Sequence, residues 1–113
     1  MSDYTLYPFE TAPRVPFRFD GRILFTSNRF ELVHLTLQPG EGMEPHIQPV
    51  EIVFFVAEGT GTLAVGEEVV EVAPETTIKI EAGISRSWTN TGSSPFKILV
   101  GKLLSPPQTQ TNA

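Results

Sequence analysis

Residues 40–59, GEGMEPHIQPVEIVFFVAEG, govern how the rest of the chain is read. A Pro39-Gly40 turn opens the stretch, and a polar segment carrying His46 and Gln48 follows. Ile52-Val53-Phe54-Phe55-Val56 then forms a β-branched and aromatic run that stops at Glu58-Gly59. A short apolar run bounded by turn residues predicts a buried strand. His46 is one of two histidines in the chain and lies just ahead of that strand, so a chemical site is expected here first.

Working outward, the punctuation is regular. RILFT (22–26) reads as a strand between Asp20-Gly21 and Ser27-Asn28, both turn signals. FELVHLTLQ (30–38) alternates with period two, with Val33, Leu35 and Leu37 on one face and Leu32, His34 and Thr36 on the other. The central apolar run predicts a strand over Glu51–Glu58. Beyond it, Thr62–Val65 and Val69–Ala73 flank Gly66-Glu67-Glu68 as a hairpin. Thr77–Glu81 is another strand, and Arg86–Thr89 with Phe96–Leu103 is expected to form a last pair around Asn90-Thr91-Gly92. No apolar pattern at 3.6-residue spacing is present, and ten prolines and nine glycines interrupt the chain at short intervals. The fold class is therefore all-β, a sandwich or barrel of short strands. Residues 1–14 read as an extended arm, 15–104 as the barrel domain and 105–113 as a disordered tail.

At 113 residues the chain is long enough for one domain with one core. No apolar run approaches the roughly 18 residues of a membrane helix, so no membrane partner is expected. The start, MSDYTLYPFE, shows neither a basic nor an apolar leader region, and there are no cysteines; a cytoplasmic protein is expected. The net charge of −5 is spread along the chain, which argues against a nucleic-acid partner, since that needs a clustered basic surface. No Ser-His-Asp spacing or glycine-rich phosphate loop is present, and Gly59-Thr60-Gly61 has no helix after it to receive a phosphate.

From about Phe30 to Leu103 the chain resembles a single-domain cupin, a family of small jelly-roll barrels. In the family's first motif, G-x5-H-x-H-x3,4-E-x6-G, Gly40, His46 and Gly59 fall in place; in the second, G-x5-P-x-G-x2-H-x3-N, Gly83 and Asn90 do. The resemblance implies a cupin-type jelly-roll β-barrel, or double-stranded β-sandwich. Metal-binding members use two histidines and a glutamate from the first motif and a histidine from the second. Carried over position by position, this chain has His46, Gln48, Ile52 and Arg86 there. Glu51 is one residue out of register by both counts, and such a slip turns a strand side chain to the opposite face unless a bulge intervenes. The resemblance thus implies that the usual metal is lost and that no cofactor is expected. The alternative is a divalent transition metal on His46, Gln48 and Glu44, which alternation would send into the barrel together.

An inward Arg86 could itself hold a carboxylate or phosphate by bidentate hydrogen bonds, the work the ion does elsewhere. The competing reading pairs Arg86 with Glu81 or Glu44. His46 would orient the ligand or act as acid or base. Gln48, Trp88 and Phe54 would complete a small-molecule pocket, although Phe54 reads first as core and Trp88 reads equally as either. The buried indole N–H of Trp88 would need a ligand or a backbone carbonyl. Three functions follow. They are a metal-free module binding a small anionic molecule, a metal-independent isomerase, epimerase or lyase using His46 and Arg86, and a dioxygenase-like metalloenzyme with an atypical ligand set. Phe30, Leu32, Phe55 and Phe96 are left as spare apolar surface, so a homodimer through edge strands is expected.

Overall fold

The computed structural model describes residues 3–104; the expected tail at 105–113 lies outside the described residues. Eight strands follow one another: β1 (Asp20–Thr26), β2 (Phe30–Leu37), β3 (Ile52–Glu58), β4 (Gly61–Val65), β5 (Glu68–Val72), β6 (Thr77–Ile80), β7 (Arg86–Thr89) and β8 (Phe96–Leu103). They form a five-stranded sheet in the order β1-β2-β8-β3-β6 and a three-stranded sheet in the order β5-β4-β7, with antiparallel pairing throughout. The period-two reading of β2 holds: Val33, Leu35 and Leu37 are buried, and Leu32, His34 and Thr36 face outward and are only half-buried.

Each sheet has one apolar face, and the two faces meet. Trp88 of the smaller sheet stands edge-on to Phe54 at 5.3 Å and to Phe96 at 5.4 Å between ring centroids. All three are fully buried. Phe96 therefore belongs to the core and not to the spare surface assigned to it from sequence. Its β8 neighbours Ile98 and Val100 continue the same inward face.

The expected pairing of β7 with β8 does not occur. β7 pairs with β4, and β8 lies between β2 and β3 in the other sheet. The chain crosses between layers after Asn90, whose buried side chain donates to Leu37 O (2.8 Å) and Ser94 O (2.9 Å) and accepts from Gly92 N (2.9 Å). That amide satisfies backbone groups the crossing would otherwise leave bare. Gly59, with φ +84°, makes the matching turn after β3; a Cβ there would meet Pro95 O at 2.5 Å.

The amino-terminal arm contributes no strand. Pro8 and Pro13 remove ladder donors, and the segment instead makes one 3-10 turn at Phe9–Thr11 and a single bridge from Arg14 to Arg22. Arg22 holds the turn by donating from Nη1 to Phe9 O (3.2 Å), with its guanidinium 4.4 Å over the Phe9 ring. Among the described residues no helix is long and apolar enough to cross a membrane.

Candidate functional site

The segment between β2 and β3 runs along the free edge of β7 and forms the mouth of the barrel. It is not a full strand: only Gly42 and His46 bridge to β7, opposite Thr89 and Arg86. His46 and Arg86 exchange backbone bonds, N to O at 2.9 Å and 3.0 Å. Pro45 and Pro49 interrupt the ladder on either side, so simple alternation fails here. Met43 packs against the core, and Glu44 is exposed outside. The expectation that Glu44, His46 and Gln48 enter together is thus corrected: His46 and Gln48 line a small inner cavity, and Glu44 does not.

The inner cavity is about 30 Å³, room for roughly two water-sized groups. Met43, His46, Gln48, Phe54, Arg86 and Lys102 are on its wall, together with aliphatic side chains of β2 and β8. No carboxylate lines it. Trp88 lies beneath Phe54 and does not reach the cavity; its indole N–H has no hydrogen-bond partner among the described residues.

Arg86 is the unusual member. It is 4% exposed, donates from Nη1 to His46 O at 3.0 Å, and leaves Nε without a partner among the described residues. Its guanidinium carbon lies 5.6 Å from the Phe54 ring centroid. Neither acid assigned to it from sequence is paired with it. Glu81 binds Lys79 at 2.8 Å, Glu44 faces outward, and no carboxylate of the described residues lies within ion-pair distance of Arg86. Burial alone pushes its pKa down. A buried cation without a counter-charge costs several kcal/mol, which makes this position a standing attraction for an anion.

His46 sits at the cavity rim, mostly exposed, with Nε2 at 3.5 Å from Gln48 Nε2. Its pKa is lowered by partial burial first, then by Arg86 and Lys102, so the neutral imidazole prevails at pH 7. An amide N–H can donate to that unprotonated nitrogen. Lys102, which sequence reading missed, ends the inward row Phe96, Ile98, Val100; that alternation, carried one step further, was the available signal. Lys102 is tied at 3.4 Å to Glu31, its direct cross-strand partner.

The ion-binding corners of the motif fit a metal poorly. Ile52 is 1% exposed and faces inward, with no donor atom, and Arg86 has no lone pair to give. Glu51 faces outward and pairs with Lys79 at 3.4 Å, so no bulge brings it in; the β3–β8 register shift falls between Val56 and Glu58 instead. Among the described residues no three His, Cys, Asp or Glu side chains group as metal ligands.

Beside the inner cavity lies a groove of about 410 Å³, whose walls include Pro16, Phe17, Phe19, Met43 and His46. Phe17, Met43 and His46 line both spaces. Nothing in the sequence alone marked Phe17 or Met43 as site residues.

Comparison with known proteins places the chain. The family model described as "Cupin domain" matches residues 33–101. A Thermus thermophilus protein, TT1209, is 26% identical over 83% of this chain and 90% of its own, with a TM-score of 0.73. The polyketide cyclase RemF of Streptomyces resistomycificus is 21% identical, covering 95% and 83%, with a TM-score of 0.76. A predicted oxalate decarboxylase of Thermotoga maritima is 17% identical, covering 89% and 100%, with a TM-score of 0.79. The last two share the fold and differ in activity. No curated protein matches the chain.

Proposed function

This chain belongs to the cupin family, and on that premise we propose that it holds a small organic anion in its barrel without the usual metal. The observation that carries this reading is Arg86, buried at 4% exposure, unpaired by any described carboxylate, and facing a cavity walled also by Lys102 and by no acid. A carboxylate would accept from the guanidinium, relieve its isolation, and be oriented by the His46 imidazole and the Gln48 amide. Phe54 forms the apolar floor, and Trp88 supports that floor from below.

A second reading is a metal-independent isomerase, epimerase or lyase, with His46 as base and Arg86 stabilising the developing oxyanion. The lowered pKa of His46 favours it, because a neutral imidazole at pH 7 can accept a proton. A metal centre on His46, Gln48 and Glu44 is disfavoured by the outward Glu44 and the inward guanidinium. We take the protein to act as a cytoplasmic homodimer; the exposed Tyr4 and Leu6 of the arm, with half-buried Phe30, Leu32 and Phe55, supply apolar surface for it.

Calorimetric titration of Arg86→Gln tests the anion reading. Carboxylates should bind at least tenfold more weakly to the variant, whereas their neutral amides should change little. An equal loss for both refutes it. His46→Ala separates the two functions: it abolishes turnover but spares binding if the protein is an enzyme.

A further inference from the structure

We propose that the bound anion is an amphipathic monocarboxylate, with its carboxylate on Arg86 in the inner cavity and its apolar body in the outer groove beneath Phe17 and Phe19. This rests on the anion reading above and adds the chemical class of the ligand.

The argument begins with size. At about 30 Å³ the inner cavity takes a headgroup and nothing larger, whereas the groove outside it offers about 410 Å³. Phe17, Met43 and His46 belong to both walls, so the two spaces adjoin, and the groove is the nearest room for a molecule anchored on Arg86 and longer than its own headgroup. The groove is apolar along Pro16, Phe17, Phe19 and Met43, and Arg18 and Glu44 stand on it as opposite charges, so a second anionic group gains little there. One charged end and one apolar end on the protein call for the same two ends on the ligand.

The cover over the groove leaves an aromatic ring partly in water. Phe17 is 43% exposed and is stacked on the buried Phe19 at 4.8 Å. Its segment rests on Gly21 of β1, where a Cβ would meet the Val15 side chain at 2.3 Å and Phe17 Cδ2 at 3.0 Å. The backbone there is folded in a tight turn, Phe17 N to Val15 O at 2.8 Å, with Val15 N bound to Gly21 O at 2.9 Å. A ligand body lying against Phe17 would take that ring out of water, which is where its affinity would come from.

The test titrates the full chain with acetate, butanoate, hexanoate and octanoate, and with hexanamide. The readouts are calorimetry and the fluorescence of Trp88, the sole tryptophan. Affinity is expected to rise roughly three- to fourfold per added methylene until the groove is filled. Hexanamide should bind at least tenfold more weakly than hexanoate. In Phe17→Ala, with its fold checked by circular dichroism, the gain per methylene should fall below twofold. If acetate and octanoate bind wild type equally, and both are lost in Arg86→Gln, the inference is overturned while the anion reading stands. If hexanamide matches hexanoate, or no member of the series binds, both are overturned. An unchanged chain-length dependence in folded Phe17→Ala overturns the placement in the groove.

Discussion

Replacing Arg86 by methionine should make the ligand-free protein more stable. Arg86 is enclosed without a counter-charge, and an uncompensated buried ion costs several kcal/mol even after relaxation. Against this stand its hydrogen bond to His46 O and its position over Phe54. The first is worth about 1.5–3 kcal/mol for a charged donor, and the second about 1 kcal/mol. The acceptor is not orphaned by the change, because His46 O also receives Arg86 N at 3.0 Å. Methionine fills much of the same volume and places its sulfur beside the same ring. The expected net is a gain of about 1–3 kcal/mol in urea unfolding free energy in buffer free of carboxylates and phosphate. Each kcal/mol should appear as about 4 °C in Tm for a domain of this size. Adding a bound carboxylate at about a hundred times its Kd should stabilise wild type by roughly 2.7 kcal/mol and leave the variant unmoved, reversing their order. A loss of 2 kcal/mol or more in anion-free buffer would show that the guanidinium is a structural latch, and the account of an ion waiting for its partner would fall.

Binding should also be linked to protons. A carboxylate beside His46 opposes the burial and the two cations that hold its pKa below 6.5, so the pKa rises in the complex. Affinity should then strengthen as pH falls through the bound-state pKa toward the lower free-state value, and level off beneath it. Calorimetry near pH 6 in two buffers of different ionisation enthalpy should report proton uptake; release would contradict it. Restoring ligands at Gln48→His, Ile52→Glu and Arg86→His together should yield one divalent metal per chain by elemental analysis. The same set with Val53→Glu in place of Ile52→Glu should hold the metal more weakly, because Val53 faces outward and only the three histidines remain as ligands. Asn90→Ala removes three hydrogen bonds at the crossing between sheets and strips Leu37 O of this donor. It should cost about 2–3 kcal/mol, read as a lower urea midpoint.

Much of this was legible in the residue order. Alternation in β2 and the count from Gly59 back to Ile52 set side-chain direction correctly, because period two is a property of the extended backbone itself. The same counting failed at Glu44, where two prolines loosen the ladder and bridges at Gly42 and His46 alone hold the segment. It failed again at the crossing after Asn90, since a short polar connection looks the same whether it closes a hairpin or carries the chain to another layer. Phe17 could not be found by pattern at all. Its place over the mouth depends on how the segment before β1 folds back onto Gly21, a contact distant in sequence from the motif that defines the site. The absence of a partner for Arg86 was likewise beyond reach, because Glu81 and Lys79 satisfy each other only once β6 is folded.

The outer margin of the smaller sheet carries a further consequence. β5 is paired on one side alone, and Val69 and Val70 are exposed on it. A bare strand of that kind invites a neighbouring molecule to add its own, and then another. Glu67, Glu68 and Glu71 stand in the way: two such strands brought together would crowd six carboxylates along one seam. The protection is purely ionic, and salt screens it. In concentrated solution at high salt the chain should begin to associate along this border while its barrel is still intact, with pairs of molecules appearing before unfolding.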